Sequence, residues 1–162
     1  MTGVQTCALP IFQKMLHSYQ TRVEIEGLVG RMAAEHISSS HLEAIASTRE
    51  DCQKLTAGKD RKALADIDFR FRNILYEAAD NPVLKDISEL LYQITFRIWY
   101  LTMDRGDWSA EVRSMVNEIT ETMQALERHT PGATGEIRHA HLLSHIKRIQ
   151  AKYFGTRPNP AD

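Results

Sequence analysis

Between Asp60 and Ala79 the apolar positions fall at Leu64, Ile67, Phe71, Ile74, Leu75 and Ala78. That is the three-and-four spacing of one helix face, with no strand alternation. Asp68 projects at the edge of this stripe, and Arg72 lies one turn further along. Two readings are open for the pair. It is either an i, i+4 ion pair near the surface, worth roughly 0.3–0.5 kcal/mol, or a half-buried polar site facing a ligand cavity.

The helical pattern continues through the chain. A first helix runs from Phe12 to about His36. The serines of SSSHLEAI cap a second, which ends near Leu55 where TAGKD breaks it. The third, from about Asp60 to Ala79, stops at DNP because the residue before proline avoids the helical region. Pro82 suits the first turn of a fourth helix reaching about Met103. Its expected buried stripe is Val83, Leu84, Ile87, Leu90, Leu91, Ile94, Ile98 and Leu101. DRGDWS is a turn in which Asp107 caps a fifth helix to about Arg128, and HTPGATG breaks the chain before a sixth over roughly Glu136 to Tyr153. There are no repeats, and heptad spacing is not sustained as in a coiled coil. The pattern predicts an all-α fold, a single antiparallel bundle of about six helices spanning residues 12–153.

Composition narrows the function classes. A chain of 162 residues suits one domain with a real core. With 43% hydrophobic and 25% charged residues and a net charge of −1, it offers no basic field for nucleic acid. No apolar run approaches the ~20 residues needed to span a bilayer. Cys7 and Cys52 give neither a disulfide framework nor metal-type spacing, which fits a cytoplasmic setting. The opening MTGVQTCALPI (1–11) lacks the layout of a secretory signal. It reads as translated sequencing adapter, so this segment is expected to be non-native and Cys7 is left out of the chemistry. The tail, 154–162, is expected to be disordered.

Four stretches carry a family resemblance. DFRFRNILYEAADNPVL, beginning at Asp68, resembles the D-x-x-F-H-x-x-L segment of the C-terminal effector domains (FCD type) of FadR-subfamily GntR transcriptional regulators. YQTRVEIEGLVGRMAAEH resembles that family's opening helix, NEITETMQAL its E-H-x-x-L helix, and RHAHLLSHIKRI its closing histidine helix. They occur in the family's order, from about Tyr19 to Ile149.

The resemblance implies an effector-sensing and dimerisation domain, not an enzyme. In most members an aspartate and three histidines hold a divalent metal in the bundle core. Carried onto this chain, those positions are Asp68, Arg72, Ile119 and His141, with His145 as an alternative to His141. A guanidinium stays protonated and cannot ligate a cation, and Ile119 lies in the apolar stripe of the fifth helix. The family metal site is therefore expected to be lost, with no cofactor. Arg72, oriented by Asp68, would supply the positive charge for a small carboxylate or related anion through its bidentate fork. Arg22, which matches the opening-helix arginine, Arg97 beside the fourth helix's stripe, and His141 complete the expected effector-binding set. Arg22 is also spaced for an i, i+4 pair with Glu26, and Arg97 for snorkelling to water. The partners implied are the anionic effector, a second copy in a homodimer, and operator DNA only through a winged-helix domain absent from this chain. No membrane is involved. Two other functions remain in view: a degenerate, ligand-free dimerisation module, and a metal-dependent helical-bundle protein, for which paired E-x-x-H motifs are missing.

Overall fold

The computed structural model describes the backbone of residues 5–154 and the side chains of residues 13–152. Over this span the chain forms α1 (Gln5–His36), α2 (Ser39–Gln53), α3 (Arg61–Ala78), α4 (Pro82–Thr102), α5 (Trp108–Glu127) and α6 (Pro131–Phe154), with a 3-10 turn at Lys54–Ala57. No strand occurs among the described residues. The all-α, six-helix expectation is met. The tail beyond Phe154, residues 1–4 and the side chains of the rest of the 1–11 segment lie outside the described residues.

Helix starts are set locally. The Ser38 side chain accepts from the His41 amide, Asp60 from Ala63 at 2.9 Å, Asn81 from Leu84 at 3.0 Å and Asp107 from Ser109 at 2.9 Å. Each satisfies a first-turn N–H that has no partner within its helix, typically worth ~1 kcal/mol.

α1 is the central element and runs antiparallel to α6. Tyr19 neighbours His145, Glu24 pairs with His139, and Gly27 abuts Gly135. α4 also runs against α1, since Tyr19 and Arg22 reach Thr95 while Met32 meets Asn81.

Two sequence expectations are corrected. α6 begins at Pro131, not near Glu136, and the GATG segment is helical. Its glycine serves close packing. A Cβ at Gly135 would meet Arg31 Cγ at 2.7 Å and the Gly27 carbonyl at 2.8 Å, and one at Gly30 would meet Arg138 Cγ at 2.7 Å. The second correction concerns α4. Its buried face is Leu84, Ser88, Tyr92, Thr95, Trp99 and Thr102. Of the expected stripe, Val83, Ile87, Leu90 and Leu101 are exposed. The inward face instead carries two large aromatics, Tyr92 and Trp99, and Thr95 accepts a buried hydrogen bond from Arg22.

Candidate functional site: a buried ionic cluster

Four helices direct charge into one volume. α1 presents Arg22 and Glu26 one turn apart, α3 presents Asp68 and Arg72, α5 presents Glu118, and α6 presents Arg138. None of these six residues is more than 5% exposed. α4 adds Tyr92 and Thr95, and α3 adds Tyr76. Asp68 and Arg72 are thus neither a surface pair nor half-buried.

Arg72 is the most heavily engaged residue. Its Nε donates to Asp68 Oδ2 at 3.2 Å and its Nη1 to Glu26 Oε2 at 3.5 Å. Its Nη2 lies 2.9 Å from Asp68 Oδ1 and 3.6 Å from Glu118 Oε1. Arg138 donates Nη2 to Glu26 Oε2 at 2.7 Å and Nη1 to Glu118 Oε1. Tyr76 donates its hydroxyl to Glu26 Oε1 at 2.9 Å. Arg22 donates Nη1 to Thr95 Oγ1 at 2.7 Å, and its Nη2 stands 3.5 Å from Glu26 Oε1. Three guanidiniums therefore face three carboxylates, and the cluster carries no net charge. Such balance is what allows charges to be buried at all, since unpaired ones cost several kcal/mol each.

The electrostatics follow. Burial alone would raise the Glu26 carboxyl, but Arg72, Arg138 and Arg22 overcome it and hold the group at about 2. Glu118 is likewise held well below the usual carboxylate range, Arg138 and Arg72 outweighing its burial. For the Arg72 guanidinium, burial is outweighed by Asp68, Glu26 and Glu118, which raise it further. Burial, and then the charge of Asp68, push the Tyr92 phenol far up. His145, buried behind Tyr19 and Trp99, is held well below its ordinary value by burial and by Arg148.

Some polar atoms in this region lack hydrogen-bond partners: Arg22 Nε and Nη2, Tyr92 Oη, Thr122 Oγ1 and Arg138 Nε. Arg22, Tyr92 and Asp68 converge. The Arg22 guanidinium carbon lies 5.0 Å from the Tyr92 ring centre and that of Arg72 5.7 Å from it.

Of the expected effector-binding residues, the structure brings together Arg22, Asp68 and Arg72 and leaves out two. Arg97 is exposed, on the side of α4 opposite Tyr92 and Thr95. His141 sits at the edge of α6, bonded to Glu121 at 2.8 Å, on a surface cleft of about 450 Å³ that Ile137 and Ser144 also line. The inward face of α6 is Thr134, Arg138, Leu142, His145 and Ile149. His145, the alternative, is on it, and His141 is rotated away. Ile119 is fully buried. Sequence reasoning missed Glu26 as a cluster member, together with Glu118, Arg138, Tyr76 and Tyr92. The available signal was the Arg22–Glu26 spacing and the position of Arg138 one and two turns before the α6 histidines.

The donor set does not fit the family's divalent metal. Arg72 occupies one ligand position with a cation 2.9 Å from Asp68, and Ile119 offers no donor. Among the described residues no group of three His, Cys, Asp or Glu comes together to hold a metal.

Comparison with known proteins places this geometry. The structure is similar to that of E. coli McbR/YncC, with a TM-score of 0.78 at 16% sequence identity, covering 87% of this chain and 66% of that one. That likeness shows the fold. The chain spans just under two thirds of the length of that structure. No curated protein matches the sequence. The FCD domain family matches residues 17–144. With most of its length so matched, and with the motifs of a GntR-type effector domain in order, the chain belongs to the FCD domain family.

Proposed function

We propose that this chain is the ligand-responsive domain of a cytoplasmic, GntR-type transcriptional regulator and has no enzymatic activity. Its effector is a small organic acid or related anion, and the regulator works as a homodimer whose operator contacts lie in a DNA-binding domain outside this chain. Effector binding would bias the arrangement of the bundle, and through it the spacing of the two DNA-binding heads.

One observation carries the ligand reading. Arg22 is 2% exposed, yet its Nε and Nη2 lack hydrogen-bond partners, beside the similarly unpartnered hydroxyl of Tyr92. A buried guanidinium short of acceptors favours a ligand that brings them, and a carboxylate does so with two oxygens at once. Asp68 Oδ1, held 2.9 Å from Arg72 Nη2, has a further lone pair with which it would accept from a hydroxyl or amine on the same ligand. Arg72, expected from sequence to be the anion-binding group, is better suited to hold Asp68 and Glu26 in place, since its own N–H groups are spent on them. In this reading the family's metal is dispensed with.

The test is a thermal-shift and calorimetric screen of small hydroxy- and amino-carboxylates against the wild type, Arg22→Gln and Tyr92→Phe. The expected result is an acid that stabilises the wild type and binds Tyr92→Phe about tenfold more weakly, consistent with the loss of one buried hydrogen bond. An acid that binds all three proteins equally rejects the site. A second reading is favoured by the zero net charge of the cluster: a ligand-free module that only dimerises. A screen with no hits, on a protein that forms dimers, supports that reading instead.

A further inference from the structure

The outward face of α4 is a row of apolar side chains with no partner in the described chain. Val83 is 68% exposed, Ile87 42%, Leu90 59% and Leu101 62%. Half-buried Ile94 and exposed Arg97 complete the row. The steps along 83, 87, 90, 94, 97 and 101 alternate four and three, the spacing of a seam between two helices. At ~1.5 Å per residue the seam is about 27 Å long.

The row is symmetric about Tyr92. Val83 mirrors Leu101, Leu90 mirrors Ile94, and Ile87 mirrors Arg97. An antiparallel pair of identical helices related by a two-fold axis brings mirrored positions together. Apolar side chains then meet at four of the six positions. The two remaining contacts place Arg97 against Ile87 and beside Asp86 of the second copy. Neither Asp86 nor Arg97 has an ion-pair partner among the described residues. At the level of the axis, exposed Phe69 on α3 lies 6.5 Å, ring to ring, from Tyr92 and widens the apolar surface. The antiparallel pairing sets exposed Asp86 of each copy beside exposed Arg97 of the other, so the face is complementary in charge to itself.

We propose that α4 is the dimerisation surface of this chain, pairing antiparallel with α4 of a second copy across a two-fold axis at Tyr92. This deepens the homodimer reading above and leaves the ligand reading untouched. The test is sedimentation equilibrium of the full chain. The wild type is expected to form a concentration-dependent dimer. Leu90→Glu, which alters only an exposed position, is expected to be monomeric with the circular dichroism spectrum of the wild type and a Tm lower by no more than the lost dimerisation accounts for. Asp86→Arg and Arg97→Asp should each weaken the dimer by about tenfold, because two symmetry-related pairs turn repulsive. The double variant Asp86→Arg/Arg97→Asp should recover wild-type affinity to within about threefold. A dimer that Leu90→Glu leaves intact overturns the α4 seam alone. A wild type that stays monomeric at the highest concentration overturns both the seam and the dimer. Failure of the double variant to recover overturns the antiparallel register.

Discussion

Arg138 on α6 donates to Glu26 on α1 at 2.7 Å across 112 residues of chain, and the same guanidinium reaches Glu118 on α5. One side chain thus ties three helices. Its removal leaves three buried carboxylates facing two guanidiniums, so Arg138→Leu is expected to cost about 3–5 kcal/mol in urea unfolding. Arg138→Lys keeps the charge but loses the fork, and should fall between the two. An Arg138→Leu protein within about 1 kcal/mol of the wild type would show that water reaches the carboxylates.

Acid should destabilise the domain in two stages. Glu26 has a folded pKa lowered to about 2 because Arg72, Arg138 and Arg22 overcome its burial, and Glu118 is lowered in the same way. A folded pKa below the unfolded one gives stability that is fully present above about pH 4.5 and is lost as pH falls towards the folded value. His145 is lowered by burial and Arg148. Its contribution is present above about pH 6.5 and starts to go below that. Tm measured against pH should therefore begin to fall in the low sixes and steepen below about 4.5. His145→Gln should remove the first stage and keep the second.

Two neighbouring glycines of α6 should respond oppositely to alanine. Gly132 has open space where a Cβ would go, so Gly132→Ala should stabilise the helix by roughly 0.5–1 kcal/mol. At Gly135 the added carbon would sit 2.8 Å from the backbone oxygen of Gly27. Gly135→Ala should then cost about 1–3 kcal/mol by forcing α1 and α6 apart. Thermal melts of the two single variants are sufficient, and equal shifts would contradict the close approach.

Chelation should do nothing. Arg72 and Ile119 stand at two of the family's four ligand positions, and Arg72 Nη2 is 2.9 Å from the remaining carboxylate. The purified domain is expected to carry no stoichiometric zinc, nickel or manganese, and EDTA should leave Tm unchanged. About one tightly held metal per chain by elemental analysis would refute this.

Features of the fold that depend on local chemistry were legible in the sequence. Ser38 and Asp107 cap their helices through hydrogen bonds to residues two or three positions on, and the α3 stripe is buried from Leu64 to Ala78 apart from half-buried Ile74. What depends on packing between helices was not. Counting aliphatic residues on α4 selects its outward face, because the inward face owes its burial to Tyr92, Trp99 and hydrogen-bonded Thr95. The GATG segment contains helix-breaking residues, and only the backbone of α1 opposite shows why glycine belongs there. The site was half legible. Arg22, Asp68 and Arg72 stood out by motif, whereas Glu118 and Arg138 answer one another from separate helices and carry no local signature.

The ionic cluster also sets how the molecule can come apart. Its six charges are spread over α1, α3, α5 and α6, so none of these helices can detach past the cluster without abandoning charges on the others in a dry interior. Partial opening is therefore closed to them, and their central amides should exchange hydrogen only when the whole domain unfolds. α2 contributes no charge to the cluster, so only packing such as that of buried Ile45 and Cys52 opposes its opening by itself. The domain is therefore expected to unfold as one cooperative unit in which α2 is the first element to open, with or without a ligand.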